Sequence, residues 1–272
     1  MSSWPLSTSL LLRGDSSLSL PYTEHVKDGG EDVIRAISLD LWKTLILDHD
    51  QDEALRDRIR AQAIREVLGE HGVVVSEDGL YESLRRIDVL RRDVREMRDW
   101  TLTTSSQIAF VLTQASVYPS GDLVDAVRPR YDAVIFQLMP TLVEPDVPQL
   151  LTDLARLYPL SLTSNTGKTP GQVLLNVLDT LNIRVPFTHF IFSDEVLYLK
   201  PDKGIWELLV DTNELKPEEI VHVGDSYRMD YKGARAAGLQ AILFGRRESL
   251  PAETIAIDSL SELATAIEEM NR

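Results

Sequence analysis

Polar residues that can carry out chemistry follow four short apolar segments of the chain. The segments are 34–41, 160–163, 189–192 and 220–223, and parallel strands joined by crossovers bring their carboxyl ends to one edge of a sheet. A carboxylate at such an edge can attack phosphorus if nearby cations neutralise the transferring group, and carboxylate oxygens are ligands that Mg²⁺ accepts. The residues expected to meet at this edge are Asp40, Ser164, Asn165, Lys200, Asp225 and Asp230.

The spacing of apolar residues predicts two kinds of structure. From residue 145 onward, short apolar strands alternate with helices, which is typical of βαβ units and a parallel sheet. We place strands at 160–163, 189–192, 220–223 and 240–243, and a further one at 254–257. Residues 50–142 instead show helical periodicity and almost no strand signal. The fold class predicted is therefore α/β, a Rossmann-like doubly wound parallel sheet with an inserted helical unit.

Four helices are predicted within residues 50–142. The first uses an apolar stripe that includes Leu55, Ile59 and Ile64 and ends at Gly69 or Gly72, where a C-cap glycine is expected. The second carries the stripe Leu80, Leu84, Ile87, Leu90, Val94 and Met97. The others cover 105–117 and 121–138, and Pro129 should kink or split the last one.

The chain divides into three parts on these patterns. Residues 1–32 are serine-rich with little periodicity, and we interpret them as a flexible N-terminal arm rather than a secretory signal. Residues 33–49 and 143–272 form the predicted α/β core, and residues 50–142 form the helical unit. Such a division suits a chain of 272 residues.

Composition excludes several classes of function. The formal charge of −15 disfavours a nucleic-acid binder, whose affinity rests on neutralising phosphates. The absence of cysteine excludes disulfides, thiolate metal sites and a cysteine nucleophile. No apolar stretch reaches the roughly 18 residues that span a bilayer. We therefore expect a cytoplasmic protein that binds neither membrane nor nucleic acid.

The segment 37–45, with the sequence ISLDLWKTL, resembles the first motif of the haloacid dehalogenase superfamily, an apolar strand followed by Asp-x-Asp-x-Thr-Leu. Ser164-Asn165, Lys200-Pro201 and the segment 224–230, GDSYRMD, follow in the order of the family's second, third and fourth motifs. The helical unit is similar to the cap domain of that family. The resemblance covers residues 34 to about 270.

The resemblance implies a Mg²⁺-dependent hydrolase of the phosphatase type that acts on a small phosphorylated molecule. Asp40 would be the nucleophile that forms an aspartyl-phosphate, and Lys200 and Ser164 would stabilise the phosphoryl oxygens. Thr44 and Asn165 would take part in substrate binding. The Mg²⁺ ligands would come from Asp40, the backbone carbonyl of Trp42, Asp225 and Asp230, the last acting through water or as an orienting group.

Trp42 departs from the family pattern, because most phosphatases of the family carry a second Asp at this position that protonates the leaving oxygen. An indole cannot donate that proton, so the leaving group needs none, another residue supplies it, or activity is low or absent. His49 is the nearest candidate donor, although an exposed histidine without function is the favoured interpretation.

Two alternatives follow from this departure. One is a catalytically weak or silent family member that uses the cap or the N-terminal arm to bind a protein partner. The other is a 2-haloacid dehalogenase, in which the leaving halide needs no proton; the acidic pair Asp225 and Asp230 disfavours it, since those metal-free enzymes lack that pair. We interpret the arginine-rich stretch 85–98 as a solvated helix face, and His222 and Trp206 as packed core residues.

Overall fold

The computed structural model describes residues 33–98, 102–245 and 250–272, without the side chains of 91–98. Its core is a six-stranded sheet in which every pairing is parallel. In order across the sheet, the strands are β5 (Phe187–Phe192), β4 (Leu160–Ser164), β1 (Ala36–Leu39), β6 (Ile220–Gly224), β7 (Gln240–Phe244) and β8 (Ala256–Ile257). The parallel α/β fold class predicted from the sequence is confirmed.

Strand β1 is central in the sheet, and its side chains alternate between the two faces. Ile37 and Leu39 belong to one hydrophobic core, and Ala36 belongs to a second core on the opposite face. Because side chains alternate with a period of two, Ser38 and Asp40 lie on the same face as Ala36. A row of polar side chains therefore leads along that face to the carboxyl end of the strand.

Helices pack on both faces of this sheet, as in a doubly wound fold. These helices are α5 (Val147–Ala155), α6 (Gly171–Thr180), α7 (Ser193–Val196), α8 (Lys203–Asn213), α9 (Gly233–Ala236) and α10 (Leu263–Met270). The first core includes residues of α5, α6 and α10, and the second includes residues of α8 and α9. A π-helical segment, Tyr227–Lys232, precedes α9.

Between β1 and β4, the chain forms a helical unit, residues 52–136, with a hydrophobic core of its own. Two short strands that pair antiparallel, β2 (Ile46–Leu47) and β3 (Thr141–Leu142), lie just before and just after this unit, and the sequence did not predict them. The helices are α1 (Asp52–Glu70), α2 (Glu77–Arg98), α3 (Thr104–Gln114) and α4 (Gly121–Asp132), followed by a 3₁₀ helix at Ala133–Phe136.

The predicted helices exist, but their details differ. Pro129 lies inside α4, which continues to Asp132 before it tightens into the 3₁₀ helix, so the chain is split three residues later than the proline. Helix α1 ends before Gly72, whose φ of +75° suits the C-cap role that was predicted for a glycine here. The arm, residues 1–32, lies outside the described residues, and the division into core and cap remains a prediction.

The predicted apolar face of α1 is partly wrong. Leu55 is 45% exposed and Ile59 is only half-buried, whereas the charged residues Arg56, Asp57 and Arg60 are buried. The stripe on α2 is confirmed at Leu80, Leu84 and Ile87; Leu90 is half-buried, and the side chains of Val94 and Met97 lie outside the described residues. Helix α1 therefore turns a charged surface toward the interior of the protein.

Strand bounds differ by a few residues from the prediction. The strand expected at 189–192 begins two residues earlier, at Phe187, and the strand expected at 254–257 is only Ala256–Ile257. Among the described residues, no helix has both the length and the apolar character needed to cross a membrane.

Gly171, the first residue of α6, allows the helix to approach strand β5 closely. A Cβ atom at this position would lie 2.4 Å from the ring of Phe192, which is completely buried. We expect Gly171→Ala to lower the free energy of unfolding by about 1 to 3 kcal/mol through this overpacking. Gly69→Ala in α1 is the matched control, because no atom lies within 4 Å of its added Cβ.

Urea unfolding of both variants tests this expectation. Gly69→Ala should be neutral or stabilising by up to about 1 kcal/mol, because alanine favours helix over glycine. Equal stability of Gly171→Ala and the wild-type protein would contradict the close contact between α6 and β5.

Candidate active site

Asp40 is the first residue after β1 and lies at the carboxyl edge of the sheet. It is 6% exposed, so its carboxylate is almost completely buried at this edge. The chain reverses directly after it: the carbonyl oxygen of Leu41 accepts from the N–H groups of Leu45 (2.9 Å) and Ile46 (3.0 Å). This turn brings the hydroxyl of Thr44 to 3.3 Å from Asp40 Oδ2, to which it donates a hydrogen bond.

Lys200 is the cation of the site, and its ammonium group is buried among oxygen atoms. Its Nζ lies 2.6 Å from Asp40 Oδ1 and 2.6 Å from Asp230 Oδ1, and it donates to the carbonyl oxygen of Thr163 at 2.8 Å. One positive charge is therefore shared by two carboxylates that belong to different strand ends.

Burial and this shared charge set the protonation of the three groups. Burial raises the pKa of Asp40 to about 7, although Lys200 acts in the opposite direction. Burial also acts to raise the pKa of Asp230, but Lys200 and a hydrogen bond from His222 outweigh it and hold that pKa well below the usual range. Burial acts to lower the pKa of Lys200, and Asp230 and Asp40 together reverse this and raise it. Lys200 therefore stays charged.

His222 supports Asp230 from below the sheet edge. Its Nε2 lies 3.1 Å from Asp230 Oδ1, and its Nδ1 lies 2.9 Å from the hydroxyl oxygen of Ser38. A carboxylate only accepts hydrogen bonds, so Nε2 carries the proton. Burial lowers the pKa of His222 to about 4, which keeps the ring neutral near pH 7. The sequence predicted a packed core histidine; the residue is buried, but it also orients Asp230.

The loop after β6 folds Asp230 back under the end of that strand. The backbone N–H of Ser226 donates to Asp230 Oδ2 at 2.9 Å. A Cβ atom on Gly224 would lie 2.4 Å from the carboxyl carbon of Asp230, so glycine is required for this approach. Gly224 therefore leaves the space in which the Asp230 carboxylate sits.

Asp40, Asp225 and Asp230 together have the composition of a hard-cation site. One carboxylate oxygen of each lies within 4.8 Å of those of the other two; Asp40 and Asp230 are buried and Asp225 is half-buried. Like charges this close oppose joint ionisation, and Lys200 supplies one positive charge to offset them. A divalent cation with oxygen ligands fits this donor set and would balance the remaining charge.

Ser164 and Asn165 follow β4 but differ in their contacts. The Ser164 hydroxyl is fully buried and has no hydrogen-bond partner among the described residues. The side chain of Asn165 holds the main chain of Lys200: its Nδ2 donates to the Lys200 carbonyl at 2.9 Å, and its Oδ1 accepts from the Lys200 N–H at 2.7 Å. The side chain of Asn165 is therefore a positioning group for Lys200. The part of Asn165 in substrate binding stays a prediction.

Trp42 and His49 lie near Asp40 in sequence but have different surroundings. Trp42 is half-buried and packs against the first core of the sheet. His49 is exposed, in keeping with the expectation of a histidine without function, and its backbone N–H donates to Asp52. Trp206, as predicted, is fully buried; its ring packs edge-on against that of His222.

A buried group of charged residues next to the site was missed by the sequence analysis. Arg56, Asp57 and Arg60 of α1 are buried, as is Lys168, which follows Ser164 by four residues. The helical spacing of Arg56, Asp57 and Arg60 resembles that of a solvated charged face, which is the usual meaning of such a pattern. Because an apolar stripe with Leu55, Ile59 and Ile64 was predicted for α1, no sequence signal singled out these charged residues as buried.

The chain matches the family model described as haloacid dehalogenase-like hydrolase over residues 34–238. Among curated proteins, it is 31% identical over 103 residues to the bovine (Bos taurus) haloacid dehalogenase-like hydrolase domain-containing protein 3. That match covers 35% of this chain, and the chain spans about two fifths of the relative's length (41%).

Solved structures of similar fold include proteins with different chemistry. A 2-haloacid dehalogenase from Pseudomonas syringae pv. Tomato DC3000 superimposes with a TM-score of 0.63 at 20% identity, over 87% of this chain and 99% of that one. A HAD phosphatase from Thermococcus onnurineus gives a TM-score of 0.54 at 21% identity, over 85% and 97%. At these identities the likeness concerns the fold alone. The family model, which matches about three quarters of the residues, shows that this chain belongs to the haloacid dehalogenase-like hydrolases.

Proposed function

We propose that the protein is a Mg²⁺-dependent hydrolase of phosphate monoesters that uses Asp40 as its nucleophile. The observation that carries this proposal is the meeting of the Asp40, Asp225 and Asp230 carboxylates within 4.8 Å, with Lys200 bonded to two of them. Three acidic groups around one lysine leave the site short of positive charge. A bound divalent cation would supply that charge, and phosphoryl transfer depends on such neutralisation.

The residues of the chain have separate roles in this proposal. Asp40 attacks the phosphorus atom and becomes an aspartyl-phosphate, while the alkoxide or phenoxide leaves; water then attacks the phosphorus and releases inorganic phosphate and the Asp40 carboxylate. Lys200 stabilises the phosphoryl oxygens, and the Ser164 hydroxyl donates a hydrogen bond to one of them. Thr44 fixes the carboxylate of Asp40 through the hydrogen bond at 3.3 Å.

Mg²⁺, held by Asp40, Asp225 and the carbonyl of Trp42, with Asp230 as a ligand or orienting group, would supply neutralisation of the transferring phosphoryl group. Asp230 is held in place by His222, Lys200 and the Ser226 N–H, so its oxygens have little freedom to turn away. The buried hydroxyl of Ser164, which has no hydrogen-bond partner in the described part of the chain, supports a ligand oxygen at this edge of the sheet.

Dehalogenation is the second candidate, and two observations favour it. The fold is similar to that of a 2-haloacid dehalogenase, and an aromatic residue, Trp42, occupies the position of the expected proton donor. A halide leaves without a proton, so this chemistry needs no such donor. The clustered carboxylates argue for the metal-dependent reaction, because they add uncompensated negative charge to a site that must bind a haloacid anion.

Asp40→Asn tests the nucleophile. With an aryl phosphate as substrate, the wild-type protein should be active with Mg²⁺ and lose activity when the ion is chelated. Asp40→Asn should lower kcat at least about a thousandfold, because an amide cannot form the phosphoenzyme. The exposed Asp125→Asn in α4 is the matched control and should behave as wild type. Activity retained by Asp40→Asn would contradict the proposal; cleavage of a 2-haloacid instead of the phosphate would favour the second candidate.

Trp42 should limit which leaving groups are accepted. Without a general acid, we expect aryl phosphates, whose leaving groups are already acidic, to be hydrolysed far faster than alkyl phosphates. Trp42→Asp should raise kcat for an alkyl phosphate about a hundredfold or more, the usual contribution of such an acid. Trp42→Phe keeps a ring against the core and should not do so.

Both Trp42 variants must remain folded for this comparison, and their activity toward an aryl phosphate reports that directly. Trp42→Asp could keep normal activity toward the aryl phosphate and still hydrolyse the alkyl phosphate no faster than wild type. That result would rule out the missing acid as the limit on substrate choice.

A further inference from the structure

The loop between β4 and α6, residues 165–170, is held by three helices of the helical unit. From α3, Gln107 Nε2 donates to the carbonyl oxygen of Gly167 at 3.1 Å. From α1, Arg60 Nη2 donates to the hydroxyl of Thr169 at 3.3 Å. Lys168, which lies between Gly167 and Thr169 in the chain, contacts both α1 and α2. Three consecutive residues of the loop are thus in contact with the helical unit.

Lys168 makes the strongest of these contacts. Its side chain is fully buried, and its Nζ lies 2.6 Å from Asp57 Oδ2 and 3.0 Å from Asp88 Oδ2, with Glu53 Oε1 at 3.6 Å. A buried ammonium is stable only when oxygens replace its lost hydration, so the position of Lys168 depends on these carboxylates. Removing them would leave an uncompensated charge in the interior.

The other side of the same loop is bonded to the catalytic edge of the sheet. Asn165 holds the main chain of Lys200 on both its amide atoms, as described above. The N–H of Thr166 donates to the hydroxyl of Ser193 at 2.9 Å, and the N–H of Asp194 donates to the hydroxyl of Thr166 at 3.1 Å. The loop therefore connects the helical unit, at Lys168, with Lys200 and with Ser164, which directly precedes it.

The helical unit is fastened at a second place, where the chain enters and leaves it. Arg56 donates to Asp48 from Nη1 at 2.8 Å and from Nη2 at 2.7 Å, and its Nε donates to the carbonyl of Leu138 at 3.0 Å. Asp48 precedes α1 and Leu138 follows the 3₁₀ helix, so Arg56 joins the two connections. The helical unit is therefore bonded at two places, at these connections through Arg56 and at the loop through Lys168.

The charges of this group leave no excess cation for a substrate anion. The three cations Lys168, Arg56 and Arg60 face four carboxylates, those of Asp48, Glu53, Asp57 and Asp88. An anionic ligand would have to displace carboxylates that already bond to these cations. The arrangement thus favours a mechanical role for Lys168 over direct binding of phosphate.

We propose that Lys168 is a positioning residue that couples the placement of the helical unit to Ser164 and Lys200 through the loop 165–170. This inference rests on the proposed function in that Ser164 and Lys200 are taken as the phosphate-binding groups. A shift of the helices away from Asp57 and Asp88 would release Lys168, loosen the grip of Asn165 on Lys200 and misplace both groups. Displacements of about 1 Å at such groups cost up to about a hundredfold in rate.

Four full-length variants test the coupling: Lys168→Met, Asp57→Asn, the double variant, and Lys203→Met as the matched control. Lys203 is 75% exposed and pairs with Glu207, one turn further along α8. Amide hydrogen exchange is followed at Lys200, whose N–H is bonded to Asn165, and across 165–170. Thermal melts establish that each variant is folded, and kcat and KM are measured with an aryl phosphate.

Lys168→Met should speed exchange at the Lys200 amide and in the loop about tenfold or more, and lower kcat/KM by a similar factor. Asp57→Asn, which keeps the contact of Lys168 with Asp88, should show the same changes to a smaller extent and serves if Lys168→Met does not fold. The double variant should be no worse than Lys168→Met alone, because the two residues act through one contact. Lys203→Met should match the wild-type protein.

Exchange at the wild-type rate in folded Lys168→Met and Asp57→Asn would overturn the proposal. A second result would also overturn it: the losses of activity in Lys168→Met and Asp57→Asn are additive, and exchange at Lys200 is unchanged. This result would indicate that Lys168 contacts the substrate directly. If the wild-type protein hydrolyses no phosphate, the proposed function fails, and exchange at Lys200 still decides whether the coupling exists.

Discussion

The ion pairs of Lys200 with Asp40 and Asp230 are the interaction on which the rest of the site depends. They place one ammonium between carboxylates from two different strand ends, at 2.6 Å from each. Without this charge, both carboxylates would be buried with like charges next to them, and burial alone raises the pKa of an acid. Removing one member of a buried pair typically costs about 3 to 5 kcal/mol, so the three groups are energetically linked.

Much of the surrounding structure maintains this arrangement. Asn165 holds the main chain of Lys200, His222 and the Ser226 N–H hold Asp230, and Thr44 holds Asp40. Ser38 and His222 lie beneath the carboxyl edge on the same face of the sheet and bond to each other. A doubly wound fold would ordinarily place apolar side chains there. The cost of burying these polar groups is offset by hydrogen bonds between them.

The helical unit contributes a second set of buried charged residues, in addition to those around Lys200. Arg56, Arg60 and Lys168 are each almost completely buried and bonded to carboxylates or carbonyl oxygens. Such pairs contribute little net stability compared with apolar packing, but they have strict geometric requirements. They therefore specify one arrangement of α1 against the loop after β4, in agreement with the coupling inferred for Lys168.

The fold and the central residues of the site could be predicted because each signal is local. Asp40, Lys200 and Asp225 follow apolar strands, and the edge rule for parallel sheets brings such residues together without further information. The hold of the Asn165 side chain on Lys200 could not be predicted, because a side chain that bonds to a distant main chain leaves no periodic signal. The buried face of α1 was mistaken for a similar reason: Arg56 and Arg60 are buried only because Asp48 and Asp57 accompany them, and those contacts are tertiary.

Calorimetric titration with Mg²⁺ tests most directly the claim that the carboxylates of Asp40, Asp225 and Asp230 form a site for a divalent cation. It is carried out on the wild-type protein and on Asp225→Asn, after each has been shown to be folded. The account predicts one ion per wild-type chain, with affinity that increases as the pH rises toward about 7, because the ion must replace the proton that burial favours on Asp40. Asp225→Asn should weaken binding at least about tenfold, in the range seen when a group of a metal site is removed. Well-folded wild-type protein that takes up no Mg²⁺, or an Asp225→Asn variant that binds it as well as wild type, would contradict the account.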